Sequence, residues 1–105
     1  MTKAELRYLV SEVAKEVKEE IEVGEDRFGA FHSLHEALAI LREEYMETEA
    51  AIFWEAQKKG DVNLIRKEAI QVAAVAVRLA VMLTPTDRAM RKEIDALENA
   101  ERQVD

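Results

Sequence analysis

The chain contains no cysteine, one proline and three glycines in 105 residues. Lacking cysteine, it has no disulfide framework, no zinc–thiolate site and no thiol nucleophile. So few proline and glycine breakpoints predict long, uninterrupted elements. Basic residues are in the minority, 15 Lys and Arg against 22 Asp and Glu, a formal net charge of −7. This balance argues against binding DNA, RNA or an anionic membrane through general electrostatics. A polyphosphate ligand stays compatible with it, provided divalent cations bridge the like charges. Long hydrophobic runs are also missing: the longest apolar stretch, residues 69–83, is too short to span a bilayer and carries Arg78. The start, Met1-Thr2-Lys3-Ala4-Glu5, opens into a charged helical pattern with no signal-peptide core. The expectation is a soluble, cytoplasmic protein with a single domain over 1–105.

The pattern present is helical throughout. Thr2 and Glu5 have capping-box spacing, and Leu6, Val10, Val13, Val17 and Ile21 recur every three or four residues. Gly24 is the expected stop, followed by a loop over residues 24–32 with Phe28 and Phe31 as anchors. Ser33 and Glu36 repeat the capping-box spacing and open a second helix. Its main apolar stripe is Leu34, Leu38, Leu41, Tyr45 and Ile52. A flank of small and apolar residues, Ser33, Ala37, Ile40 and Ala51, shares its face with Glu44 and Glu47 and suits cover by another helix. Gln57-Lys58-Lys59-Gly60-Asp61 is the next break, with the lysines favouring a helix end and Asp61 a good cap. The third helix is apolar at thirteen of the fifteen positions 69–83, so it predicts burial on most sides. Thr84-Pro85-Thr86-Asp87 supplies a cap, a proline at the first helical position and an acid for a fourth helix. Met90, Ile94, Leu97 and Val104 form that helix's stripe, the least apolar of the four. The predicted fold is all-α, a four-helix up-and-down bundle completed by oligomerisation as a homodimer or homotetramer.

Charge is concentrated where burial is expected. Glu44 and Glu47 stand three residues apart and point the same way on a helix. Glu68 and Gln71 repeat this spacing at the entry to the apolar helix. Two such pairs on facing helices would make an oxygen-lined bowl of the kind that suits magnesium.

The segments Phe31-His32-Ser33-Leu34-His35-Glu36, Leu41-Arg42-Glu43-Glu44-Tyr45-Met46-Glu47 and Lys67-Glu68-Ala69-Ile70-Gln71-Val72-Ala73-Ala74 resemble the MazG-like group of all-α NTP pyrophosphatases. The similarity covers roughly residues 28–83. That family's signature is E-x-x-E, a spacer, then E-x-x-D, its four acids binding magnesium. Glu44 and Glu47 match the first pair and Glu68 the third acid; Gln71 replaces the fourth and removes one negative charge. The resemblance implies hydrolysis of a nucleoside triphosphate to the monophosphate and pyrophosphate, with Mg2+ (or Mn2+) as cofactor and Glu47 taking the proton from water. The same resemblance marks His35 as a contact for base or phosphate.

Each residue also has a plainer reading. If the second and third helices run straight into a tight turn near Gly60, Glu44 falls level with Arg78 and the two form an ion pair. Bringing Glu44 and Glu47 level with Glu68 and Gln71 requires the second helix to stop or bend before Lys59. Arg78 could also meet a substrate phosphate, and Trp54, beside Phe53, could stack a base, although aromatics at helical spacing more often serve a core or an interface. His32 and His35 straddle a helix start, a common place for capping or surface histidines. The alternative function is a non-catalytic helical assembly or regulatory protein with Glu44–Arg78 pairing. A partner-binding helical module is the third reading, and it predicts a large exposed apolar patch on the first or fourth helix.

Overall fold

A computed structural model describes residues 1–55 and 62–103; the side chains of Trp54 and Glu55 also fall outside the description. Four α-helices and one π-helical turn make up the described residues, with no strand among them: α1 (Lys3–Phe28), α2 (Leu34–Ala50), the turn Ala51–Glu55, α3 (Val62–Met82) and α4 (Arg88–Arg102). The all-α reading is therefore met. The expected break at Lys58, Lys59, Gly60 and Asp61 lies outside the described residues, as does Val104.

Both capping boxes form at their amino-terminal side. Thr2 Oγ1 accepts from the Glu5 N–H at 3.0 Å, and Ser33 Oγ from the Glu36 N–H at 3.1 Å. Two boundaries differ from expectation. Helix α1 does not stop at Gly24 but runs on to Phe28, where Gly29 ends it with φ 74° and its N–H donating to the Glu25 carbonyl at 2.9 Å. A glycine inside a helix weakens it by about 1 kcal/mol without breaking it. A Cβ at Gly24 would lie 3.5 Å from Arg78 Nη1, an ordinary contact distance, so an alanine fits at this position. Helix α4 starts three residues later than expected, because Asp87 caps it by accepting from the Met90 N–H at 2.9 Å. Thr84 instead finishes α3, its hydroxyl donating to the Ala80 carbonyl at 2.7 Å.

Helix α3 lies at the centre, with α1 and α2 packed against it and no Cα of α1 within 8 Å of α2. Helices α1 and α3 run in the same direction, since Glu16 meets Arg66 and, further along both, Glu25 meets Arg78. Among the described residues no Cα of α4 comes within 8 Å of another helix. A single chain therefore does not close a four-helix bundle by itself. The described core is made of small side chains: Ala37, Ala51, Ala74 and Val75. Such residues let two helices approach closely.

On α2 the small flank that suited cover by another helix is the one covered, while most of the main apolar stripe is left exposed. Ala37 and Ala51 of the glutamate-bearing flank are buried, whereas Leu34, Leu38, Tyr45 and Ile52 of the main apolar stripe are exposed. The reason is the company α3 offers. Glu68, Gln71 and Val75 sit on the face of α3 turned to α2, and only the glutamate flank is slim enough to pack there.

The two glycines of this region should respond oppositely to alanine. Gly24→Ala is expected to stabilise the chain by about 1 kcal/mol through helix propensity. Gly29→Ala, forced into a glycine-only region, should cost about 2 kcal/mol. Urea unfolding followed by circular dichroism measures both.

Candidate metal centre

The site is made by where α2 stops. Its regular turns end at Ala50 and the chain widens into the π-helical turn Ala51–Glu55 before the next helix. The condition set by the sequence, a bend before Lys59, is thus satisfied. Glu44 and Glu47, one turn apart on α2, come abreast of Glu68 near the start of α3. One carboxylate oxygen from each of the three lies within 4.8 Å of the others. Glu44 and Glu68 are half-buried and Glu47 is exposed.

The electrostatics are those of a site short of positive charge. Glu44 Oε2 and Glu68 Oε2 are buried and accept no hydrogen bond among the described residues. Burial, then the neighbouring charges of Glu47 and Glu68, push the Glu44 carboxyl from its ordinary 4.5 up to about 7. Burial and then Glu47 also raise Glu68, partly opposed by Lys67. Buried polar atoms in folded proteins nearly always have partners, so two orphaned carboxylate oxygens facing a third acid ask for a proton or a cation. The donors are all carboxylate oxygens, the chemistry that suits a hard divalent ion. On these observations the residues fit Mg2+ or Mn2+. Gln71 stands one turn beyond Glu68 and lines, with Glu44, an adjoining pocket of about 520 Å3.

Arg78 does not pair with Glu44. Its Nε donates to Glu25 Oε1 at 3.0 Å and its Nη2 to the Gly29 carbonyl at 2.9 Å, and its guanidinium lies 4.1 Å from the centre of the Phe31 ring. The extension of α1 past Gly24 causes this, because it carries Glu25 and Gly29 to the guanidinium. Arg78 still lines the same pocket as Glu44 and Gln71, together with Phe28, Phe31 and Ile40.

The structure brings together Glu44, Glu47 and Glu68, with Gln71 and Arg78 beside them. It does not bring His35 there. His35 is exposed and lies nine residues from Glu44, half a turn round on the opposite face of α2. Its neighbour His32 sits 2.9 Å from Glu36 through Nδ1, so that acid serves a histidine as well as the cap. The side chain of Trp54 lies outside the described residues. Glu25 escaped the sequence reading, and Gly29, expected to allow a turn, also ends α1 and accepts from Arg78; a glycine followed four residues later by a capping serine signals where a helix ends. Compared with protein-family models, curated proteins and solved structures, the chain matches none of them.

Because Glu44 and Glu68 are raised, the folded state holds protons that the unfolded chain releases. Their favourable contribution is full below the ordinary value of 4.5 and is lost as pH rises through about 7. Without divalent cation, the melting temperature should fall between pH 5 and 8, and saturating Mg2+ should suppress that fall. Glu44→Gln should flatten the metal-free profile and remove most of the Mg2+ response. Differential scanning calorimetry across that range checks all three outcomes.

Proposed function

We propose that this chain is a Mg2+-dependent nucleoside triphosphate pyrophosphohydrolase of the MazG-like kind, acting in the cytoplasm as a homodimer or homotetramer. The observation that carries the reading is the meeting of Glu44, Glu47 and Glu68, with two orphaned oxygens, at the edge of a pocket that also holds a guanidinium. Resemblance over residues 28–83 adds the reaction class.

On this reading Glu44, Glu47 and Glu68 hold the cation, with the amide oxygen of Gln71 as the fourth donor. When bound, the ion neutralises phosphate charge and acidifies a water molecule. Glu47, the exposed member, takes a proton from the attacking water as its oxygen bonds to the α-phosphorus. The bond from that phosphorus to the oxygen bridging the α- and β-phosphates breaks, and pyrophosphate leaves with the electron pair. Arg78 is held by Glu25, the Gly29 carbonyl and the Phe31 ring, so its charge is presented in a fixed position. Fixed charge of this kind stabilises a developing anion without reorganising. The apolar wall of Phe28, Phe31 and Ile40 offers a surface to the rest of the nucleotide. With the chain at −7, a triphosphate approaches favourably only as its metal complex.

Two observations favour the alternative, a non-catalytic helical assembly that keeps the fold: Gln71 stands where the resembled signature has an acid, and the helices leave much apolar surface bare. The Glu44–Arg78 pair is no part of that alternative, since Glu25 occupies the guanidinium.

The deciding experiment measures pyrophosphate release from a panel of nucleoside triphosphates with Mg2+. Release is expected from at least one of them. Glu47→Gln and Glu68→Gln should each lower kcat at least ~100-fold, the first through loss of the proton acceptor and the second through loss of a cation ligand. Gln71→Glu should tighten Mg2+ binding by restoring the fourth charge. Absence of release across the panel, with normal folding, rejects the enzyme in favour of the assembly.

A further inference from the structure

The chain exposes 8788 Å2, whereas a folded monomer of its mass, 12.0 kDa, exposes about 6,000 Å2. The excess, about 2,800 Å2, is well beyond the ~800 Å2 per partner that a standard stable interface covers. Two portions of this surface suit each other. One is an open groove of about 670 Å3 along α1 and α3, lined by Leu6, Leu9, Val10, Val13 and Val77 among others, with Lys18 its one charged wall residue. The other is α4, whose Met90, Ile94 and Leu97 recur at helical spacing while the helix touches no other.

Their dimensions agree. Helix α4 has 15 residues, and the groove runs along α1 from Leu6 to Ile21, so each is ~22 Å long at ~1.5 Å per residue. Charge agrees as well: Glu93 and Glu101 flank the α4 stripe, and Lys18 stands on the groove wall. The chain's own α4 is held away from its own groove. Five residues, 83–87, separate α3 from α4, and Pro85 among them has its φ fixed by its ring and cannot continue α3.

We propose that α4 of one chain docks in the α1–α3 groove of a second copy, and that the second copy returns its own α4 in a two-fold exchange. This rests on the homo-oligomeric part of the proposed function and is independent of its chemistry. Each copy covers the other's α1–α3 apolar groove, and the arrangement closes on itself without leaving a free end. The two chains together then hold the helical layers that one chain lacks.

A cysteine-free chain makes the test direct. Single variants Val13→Cys and Leu97→Cys, mixed and oxidised, should give a disulfide-linked heterodimer on a non-reducing gel. The double variant should link between chains and not within one. Sedimentation should show a dimer for the unmodified chain and a monomer for Val10→Glu and for Leu97→Glu. Both positions are exposed in the single chain, so circular dichroism should keep its helical signal. A monomer for the unmodified chain, a dimer that survives both glutamate variants, or a disulfide closed within one chain would each overturn the exchange. Pyrophosphate release, measured on the same samples, keeps the readings separate: a dimer that passes every test yet releases none rejects only the catalytic reading.

Discussion

Three like-charged carboxylates held within 4.8 Å of one another are the constraint from which the rest of this structure follows. At such separations each pair of ionised groups repels by about 3 kcal/mol for an effective dielectric of about 20. A small domain has only about 5–15 kcal/mol of total stability to set against this. The groups therefore share protons or share a cation, and the raised titration of Glu44 and Glu68 is the first of those solutions. The fold is arranged to keep the acids together regardless. Alanines at 37, 51 and 74 bring α2 and α3 close, and the π-helical turn ends the regular part of α2 one turn beyond Glu47.

Arg78 would be the natural neutraliser, and the structure gives it other work. It fastens the α1 terminus to α3 through Glu25 and the Gly29 carbonyl, and it packs over Phe31. This clamp shapes one wall of the pocket and leaves the acid cluster without an Arg78 ion pair, Lys67 only partly offsetting the charge at Glu68 among the described residues. A cluster neutralised from within would have no use for a metal. One left unneutralised beside a guanidinium-bearing pocket has the two ends a metal–phosphate ligand requires, which is the basis of the function proposed.

Most of the helical framework could be read from the chain because it is encoded locally. Capping residues Thr2 and Ser33 and the sparse glycines set the starts of α1 and α2 within the reach of one turn. The glutamate spacings on α2 and α3 were legible for the same reason. What could not be read depended on tertiary neighbours. Helix α1 runs through Gly24 to end at Gly29, whose region carries the Glu25 and Gly29 contacts of Arg78, and Thr84 serves α3 because Asp87 offers the better cap for α4. That the small flank of α2 suits cover was legible, whereas the exposure of its leucine and tyrosine stripe was not, since hydropathy alone ranks that stripe higher. Counting round the helix sets His35 opposite Glu44, a placement that the spacing already held. The bare stripes on α1, α2 and α4 were legible as apolar, yet a single sequence does not say which chain covers them.

The measurement that tests the central claim most directly is anomalous diffraction from crystals grown with Mn2+. One strong peak is expected, about 2.2 Å from a carboxylate oxygen of each of Glu44, Glu47 and Glu68 and close to the Gln71 amide. A map without density there, with the three carboxyl groups drawn together by shared protons at neutral pH, would contradict the account and leave a helical assembly whose acids are structural.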